Sequence, residues 1–255
     1  LRTKDGFKEL RWNEALAEAR KQFERVEGHE MSAIIGPHAD AESIVALRDL
    51  MFKLGAEDMH ATSTAPKLSP NLRANYLSNS RIIGVEKADY ILLVGTNLRS
   101  EAPILNTRVL KSIEDRGTEV DVLGVPADLN IDYEHVGTSP QTLAEIMRGE
   151  HPVSKKLADA ERPMIIVSDN ALARSDGEAI LNAIKQIAEG TPVVHDGWNG
   201  VNILHTKASS VAALDIGIPF GREVNKDAKL VYILGHDDFR PEDIPEDAYV
   251  IYQGA

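Results

Sequence analysis

Residues 88–117 read ADYILLVGTNLRSEAPILNTRVLKSIEDRG. Tyr90–Val94 is a short, unbroken apolar run, the pattern of a strand covered on both faces in a parallel sheet. Gly95 ends it and permits a tight turn that a side chain would obstruct. The polar stretch Thr96–Glu101 leads to Pro103, which suits a first helical position because its missing N–H would be unbonded there. Leu105, Val109 and Ile113 then recur at helical spacing up to Gly117, placed as a C′ residue. The stretch therefore reads as a strand, a glycine turn and a helix whose N-terminus faces the turn. In an open α/β sheet that edge is where ligands sit.

The same unit recurs along the chain. Met31–Ile35 is an apolar strand stopped by Gly36, and Asp40 caps a helix whose inner stripe is Ile44, Leu47, Met51 and Leu54. Met164–Val167 leads to a helix lined by Ile180, Ile184 and Ile187, with Ser175 and Glu178 spaced as a capping box. Leu230–Leu234 is again stopped by a glycine, Gly235, and Tyr249–Tyr252 closes the chain as a strand. Before these, Asn13, after Trp12, is placed to cap a helix that carries Leu16, Phe23 and Val26 on one face and ends near Gly28. Val120–Val125 reads as a strand, and Ser139-Pro140 opens a helix lined by Leu143, Ile146 and Met147. Val201–Leu214 reads as a helix with Leu204, Ala208 and Val211 inward. Ala56–Arg81, the loop Asp128–Gly137 and the charged connector Lys155–Arg162 carry no firm element. Alternating βαβα predicts an α/β protein, doubly wound, with mostly parallel sheets.

Composition narrows the function. The chain has 255 residues, 28 basic and 40 acidic, a net charge of −12 and no cysteine. Zero cysteines exclude disulfides, thiolate zinc sites, cysteine nucleophiles and ordinary iron–sulfur ligation within this chain. The acidic balance disfavours nucleic acid and anionic membrane surfaces as partners. No apolar run approaches the length of a membrane-spanning helix, and the charged start lacks the apolar core of a signal peptide. A start without methionine suggests an excised fragment or a processed chain.

Each candidate site has a bland alternative beside it. No turn matches G-x-x-x-x-G-K-[ST] or G-x-G-x-x-G, so a P-loop and ordinary dinucleotide binding are not supported. Gly95, Thr96 and Asn97 could cradle a phosphate or pterin with backbone N–H groups, and Arg99 could add a bidentate anion contact. Equally, these residues could do no more than make the turn and cap the helix. The histidines are scattered without metal spacing, and His205 reads as a partly buried, hydrogen-bonded residue within a helix. The acidic run HDDFRPEDIPEDA (236–248) lacks the ligand pattern of an EF-hand and reads as a solvated loop beginning a helix. Ser63, Ser69 and Ser100 have no nucleophile-elbow context.

The blocks GVEKADYILLVGTNLRSEAPILNTRVLKS (84–112), LGVPADLNIDYEHVGTSPQTLAEIMRGEHPVSKKL (123–157), NGVNILHTKASSVAALDIG (199–217) and the closing YVIYQG (249–254) resemble the 75-kDa type, largest peripheral-arm subunit of respiratory complex I, NADH:ubiquinone oxidoreductase. The resemblance runs from FKELRWNEAL (7–16) to the last residues. It implies the second part of that subunit, similar in fold to molybdopterin oxidoreductases such as formate dehydrogenase, with iron–sulfur clusters held in a preceding region. It implies no cofactor or metal bound by this segment, and no catalysis by it, although the parent complex is a proton-translocating NADH:ubiquinone reductase. Implied partners are other peripheral-arm subunits, at the matrix side of the inner mitochondrial membrane, without insertion into it. Cofactor-binding relatives carry G-x-N-P at the turn that here reads G-T-N-L, Leu98 replacing the proline. They carry a metal ligand where this chain reads ATSTAPKLSP (61–70). Gly95, Asn97 and Arg99 would then be a vestigial turn, and Ser63 a ligand position without supporting ligands. The resemblance also implies two lobes: residues 1–60 with 195–255, truncated at the C-terminus, and 61–194 inserted between. The alternative is a small-molecule enzyme module holding a nucleotide, thiamine diphosphate or pterin at Gly36, Gly95 or Gly235.

Overall fold

A computed structural model describes residues 1–4, 6–62, 68, 70–221 and 224–254. Ser63 and Ser69, considered above as candidate site residues, lie outside the described residues. In chain order the elements are β1 (Arg2–Thr3), β2 (Gly6–Phe7), α1 (Trp12–Phe23), β3 (Met31–Ile35), α2 (Ala41–Lys53) and β4 (Asp58–Ala61). There follow α3 (Arg81–Gly84), β5 (Tyr90–Val94), α4 (Leu98–Glu101), α5 (Pro103–Arg116), β6 (Glu119–Leu123) and β7 (Glu134–Gly137). Next come α6 (Pro140–Met147), α7 (Pro152–Asp159), β8 (Pro163–Ser168), α8 (Asp169–Leu172) and α9 (Gly177–Gly190). The chain ends with β9 (Val194–His195), β10 (Trp198–Asn199), β11 (Val201–Leu204), α10 (Ser210–Ile216), β12 (Leu230–Leu234) and β13 (Tyr249–Gln253).

The contacts divide the chain into two compact units, Leu1–Ser63 with Lys207–Ala255, and Thr64–Thr206. The first is built on a four-stranded sheet in the order β13-β12-β3-β4. All three of its pairings are parallel. β3 is buried at every position, as a strand covered on both faces should be. Asp40 caps α2 by accepting the Ser43 N–H at 2.7 Å, and Ile44, Leu47 and Met51 point into the core.

The second unit carries a five-stranded sheet in the order β11-β8-β5-β6-β7, again parallel throughout. Its core includes Ile91, Leu93, Leu98, Val109, Met164 and Ile166, all essentially inaccessible to water. Gly117 ends α5 in the left-handed conformation, with φ of 69°. The α/β class with parallel sheets is thus the observed one.

Several sequence expectations change. The predicted helix Val201–Leu214 is instead β11 followed, after a break, by α10. β11 pairs with β8 (Val201 beside Ile165), which draws residues through Thr206 into the second unit and moves the junction past Val194. Ala56–Arg81 contains β4, paired with β3. The loop before Gly137 contains β7, and the charged connector contains α7. α9 begins after Asp176 rather than Ser175. α1 buries none of its residues; Trp12 and Leu16 are exposed. The acidic run forms a single 3₁₀ turn, Pro241–Asp243, and no α-helix follows it.

Candidate functional site

Each unit has a crevice at the carboxyl ends of its parallel strands, where the architecture places ligands. The one in the second unit, about 360 Å³, is lined by Gly95, Gly124, Ser139, Asn170 and Arg174 among others. Gly95 has φ of 57°, and a Cβ on it would stand 2.7 Å from Cβ of Ala171. Its N–H donates to Leu123 O at 2.8 Å. Asn97 caps α4 by accepting the Ser100 N–H at 3.3 Å. Arg99 donates to the Asp128 carboxylate at 2.5 Å. The Asp128 carboxyl is held below its usual range by the Asn130 N–H and by Arg99. Thr96 donates to Glu101 at 2.7 Å. Arg174 forms a two-point pair with Asp176, at 2.7 and 3.0 Å. The side chains singled out at this turn therefore bond to protein, and the cations beside it already face carboxylates.

The crevice of the first unit is larger, about 820 Å³. Ile34, Val224, Phe239 and Ile244 form an apolar floor, and His60, Thr62, Lys226, His236, Asp238 and Arg240 stand around it. Arg240 pairs with Asp243 at 3.0 Å. Gly36 and Gly235, the two glycine turns of this sheet, lie against each other. The Gly36 N–H donates to Leu234 O at 2.7 Å and the Gly235 N–H to Gln253 O at 2.8 Å. The N–H groups of the three candidate glycines themselves are thus committed to backbone carbonyls of neighbouring strands.

His236 is the titratable group of this crevice that composition did not single out. Its Nδ1 is buried and has no hydrogen-bond partner among the described residues. Burial pushes its pKa below the usual 6.5, against the opposing pull of Asp238 and Asp237. A histidine depressed in the folded state favours folding where it is neutral in both states. That contribution is lost as pH falls through 6.5, because the unfolded chain takes up the proton first. His236→Gln should therefore lose less stability than the parent between about pH 7.5 and about pH 5.5. Urea midpoints of both proteins at the two pH values check this; equal losses would refute it.

His205 is partly buried and its Nε2 lies 2.6 Å from Tyr76 O, but it follows a strand rather than sitting in a helix. No group of three His, Cys, Asp or Glu residues is placed to hold a metal among the described residues. Among the described residues no helix is long and apolar enough to cross a membrane. What sequence reasoning missed is a buried charge cluster around Asp121, whose signal was one acid inside the apolar run VDVL (120–123).

The family described as molybdopterin oxidoreductase matches residues 1–255. The chain is 40% identical over 256 residues to "NADH dehydrogenase [ubiquinone] iron-sulfur protein 1, mitochondrial" of Solanum tuberosum, covering 100% of this chain and 35% of that protein. It is 39% identical over 262 residues to the "NADH-ubiquinone oxidoreductase 78 kDa subunit, mitochondrial" of Candida albicans, covering 100% and 36% respectively. Against the "NADH-ubiquinone oxidoreductase 75 kDa subunit" of Reclinomonas americana the identity is 34% over 269 residues, covering 97% and 39%. The chain thus spans 35–39% of the length of these curated relatives.

Proposed function

The chain belongs to the molybdopterin oxidoreductase family, and on that premise we propose that it is a non-catalytic structural region of the large iron–sulfur subunit of respiratory complex I. The observation that carries this reading is identity of 39–40% over the whole chain to proteins named as subunits of that enzyme. The parent enzyme passes electrons from NADH to ubiquinone, and this region supports the portion that carries them. Its partners are neighbouring subunits of the peripheral arm, and its place is the matrix side of the inner mitochondrial membrane. Its two lobes are the two compact units, and it holds no cofactor of its own.

The residues present do not fit the family's pterin cofactor. The Gly36, Gly95 and Gly235 N–H groups are committed to carbonyls. Arg99 and Arg174 face carboxylates, and there is no cysteine to ligate a metal. The same pairing takes the glycine N–H groups and both arginines away from the alternative enzyme reading.

Two measurements test the proposal. Metal analysis of the purified chain should find molybdenum, tungsten and iron well below one atom per chain. A thermal-shift series with guanine and adenine nucleotides, thiamine diphosphate and a reduced pterin should leave the midpoint unmoved. A specific ligand at 100 times its Kd would add about 2.7 kcal/mol of stability. Stoichiometric metal, or a saturable rise with one of these compounds, would sink the reading.

A further inference from the structure

The second unit exposes three isoleucines on two helices that pack together. Ile82 and Ile83, on α3, are 56% and 63% exposed, and Ile104, in the first turn of α5, is 68% exposed. The register of the two segments brings them together. Ala88 O accepts the Thr118 hydroxyl at 2.8 Å and faces Ser112, near the end of α5. Two residues back, Glu86 accepts Lys111 at 2.8 Å and also pairs with Arg108. Continuing the same way, Ile83 and Ile82 fall level with the start of α5, against which α3 packs.

The backbone that presents them is unusual. Arg81 has φ of 59°, a left-handed conformation that costs a residue with a Cβ of order 1 kcal/mol or more. It directs α3 so that Arg81, Ile82 and Ile83 are all exposed, although the Ile82 and Ile83 side chains would be better buried.

Charge says what would cover the patch. Arg81 directly precedes Ile82, and Arg108 and Lys111 lie one and two turns beyond Ile104 on α5, where they share the Glu86 carboxylate. Arg81 makes no side-chain hydrogen bond or ion pair among the described residues. Lys111, then Arg108, hold the Glu86 carboxyl below its usual range, so it stays charged and both cations stay oriented. A local positive excess in a chain of net charge −12 is selective.

We propose that this face docks a segment of another protein in which apolar side chains are flanked by Asp and Glu. Apolar residues would seat on the three isoleucines and the acids would meet Arg81, Arg108 and Lys111. An anionic bilayer is the weaker occupant: α3 has four residues, too short to lie as an amphipathic helix in a headgroup layer. The chain's overall charge also opposes approach to such a surface.

The test is photo-cross-linking in cells that make the protein, from benzoylphenylalanine placed at Ile83 or at Ile104, with the tethered peptide sequenced by mass spectrometry. Both positions should tether one segment of one other protein, richer in acids than bases. The same probe at Val125, 83% exposed, should not tether that segment. Arg108→Glu with Lys111→Glu should cut the yield at least about tenfold. In extract, raising salt from about 0.05 to about 0.5 M should lower it several-fold, because screening shortens the reach of the rim charges. The salt series needs no charge variant, so it decides the matter even if the double reversal misfolds. Tethering to the protein's own peptides, to phospholipid or to a basic segment would overturn the proposal, and so would a yield indifferent to salt. A tethered segment from outside the respiratory chain would keep the docking face but remove the complex I reading.

Discussion

Gly36→Ala should unfold the first unit at markedly lower denaturant than the parent. Gly36 follows β3, and its N–H donates to Leu234 O at 2.7 Å, the end of the neighbouring β12. A Cβ there would stand 2.0 Å from Gly235 O and 2.4 Å from Cα of His236, both backbone atoms. No rotamer relieves that contact. Either β12 slides against β3, losing its register, or the two turns separate and leave buried carbonyls and N–H groups unpaired. Overpacking against immovable atoms costs about 3 kcal/mol. That corresponds to a fall of roughly 6–12 °C in the melting temperature. Gly190→Ala is the control: no atom lies within 4 Å of where its methyl would stand, so it should be neutral or slightly stabilising. A Gly36→Ala protein that melts within a degree or two of the parent would show the turns to be separable. The result also guards interpretation, because a defect caused by this substitution reports on the sheet and not on a lost ligand.

The second large effect is Lys156→Met. Asp121 sits within β6 with its side chain 1% exposed, and Lys156 reaches it from α7 at 3.0 and 3.1 Å. The Tyr90 hydroxyl donates to the same carboxylate at 2.6 Å, and Lys156 also meets Glu134 at 2.9 Å. Partial burial works against the ammonium, but its bonds to Glu134 and Asp121 prevail and hold its pKa above the ordinary value. Burial and Asp121 likewise push the Tyr90 phenol up, so it remains a donor throughout the working range. Methionine keeps much of the lysine stem's volume but removes the charge. Asp121 is then a buried carboxylate with a single neutral side-chain donor, a change that costs about 3 kcal/mol. Asp121→Asn in the Lys156→Met background should recover part of the loss, since an amide oxygen still accepts the Tyr90 hydroxyl without a net charge. Urea unfolding at neutral pH measures both; a loss below about 1 kcal/mol would place the cluster with ordinary surface ion pairs.

The sequence was most legible where one strand's environment is simple. β3, β5, β8 and β12 are flanked by strands on both sides and covered on both faces, so they show as unbroken apolar runs. Two of the parallel-sheet strands it missed, β4 (DMHA) and β7 (EHVG), are short, lie at sheet edges and carry polar residues. β11 was misread because Leu204, Ala208 and Val211 happen to fall at helical spacing. The pairing with β8 that overrides this spacing comes from residues nearly 40 positions away. The site was half legible for a related reason. That Gly36, Gly95 and Gly235 make turns at strand ends is local information. That their N–H groups are already bonded is not, because the acceptors Leu234, Leu123 and Gln253 belong to neighbouring strands. Asp121 could be noticed as an acid in an apolar run, but nothing nearby in the chain announces Lys156.

The split character of the first unit has a consequence for how the protein is made. β3 pairs with β12, which leaves the ribosome about 200 residues later. At about 5–20 residues per second, the newly made β3 and β4 wait roughly 10–40 s for their central partner. During that interval β3, apolar on both faces, has one edge bare and is a target for wrong pairing. The second unit holds all the strands of its own sheet within Thr64–Thr206 and can fold during the wait. Assembly of the first unit is therefore the late, long-range step of synthesis, and the early residues around β3 and β4 are where a nascent-chain chaperone has the most to protect.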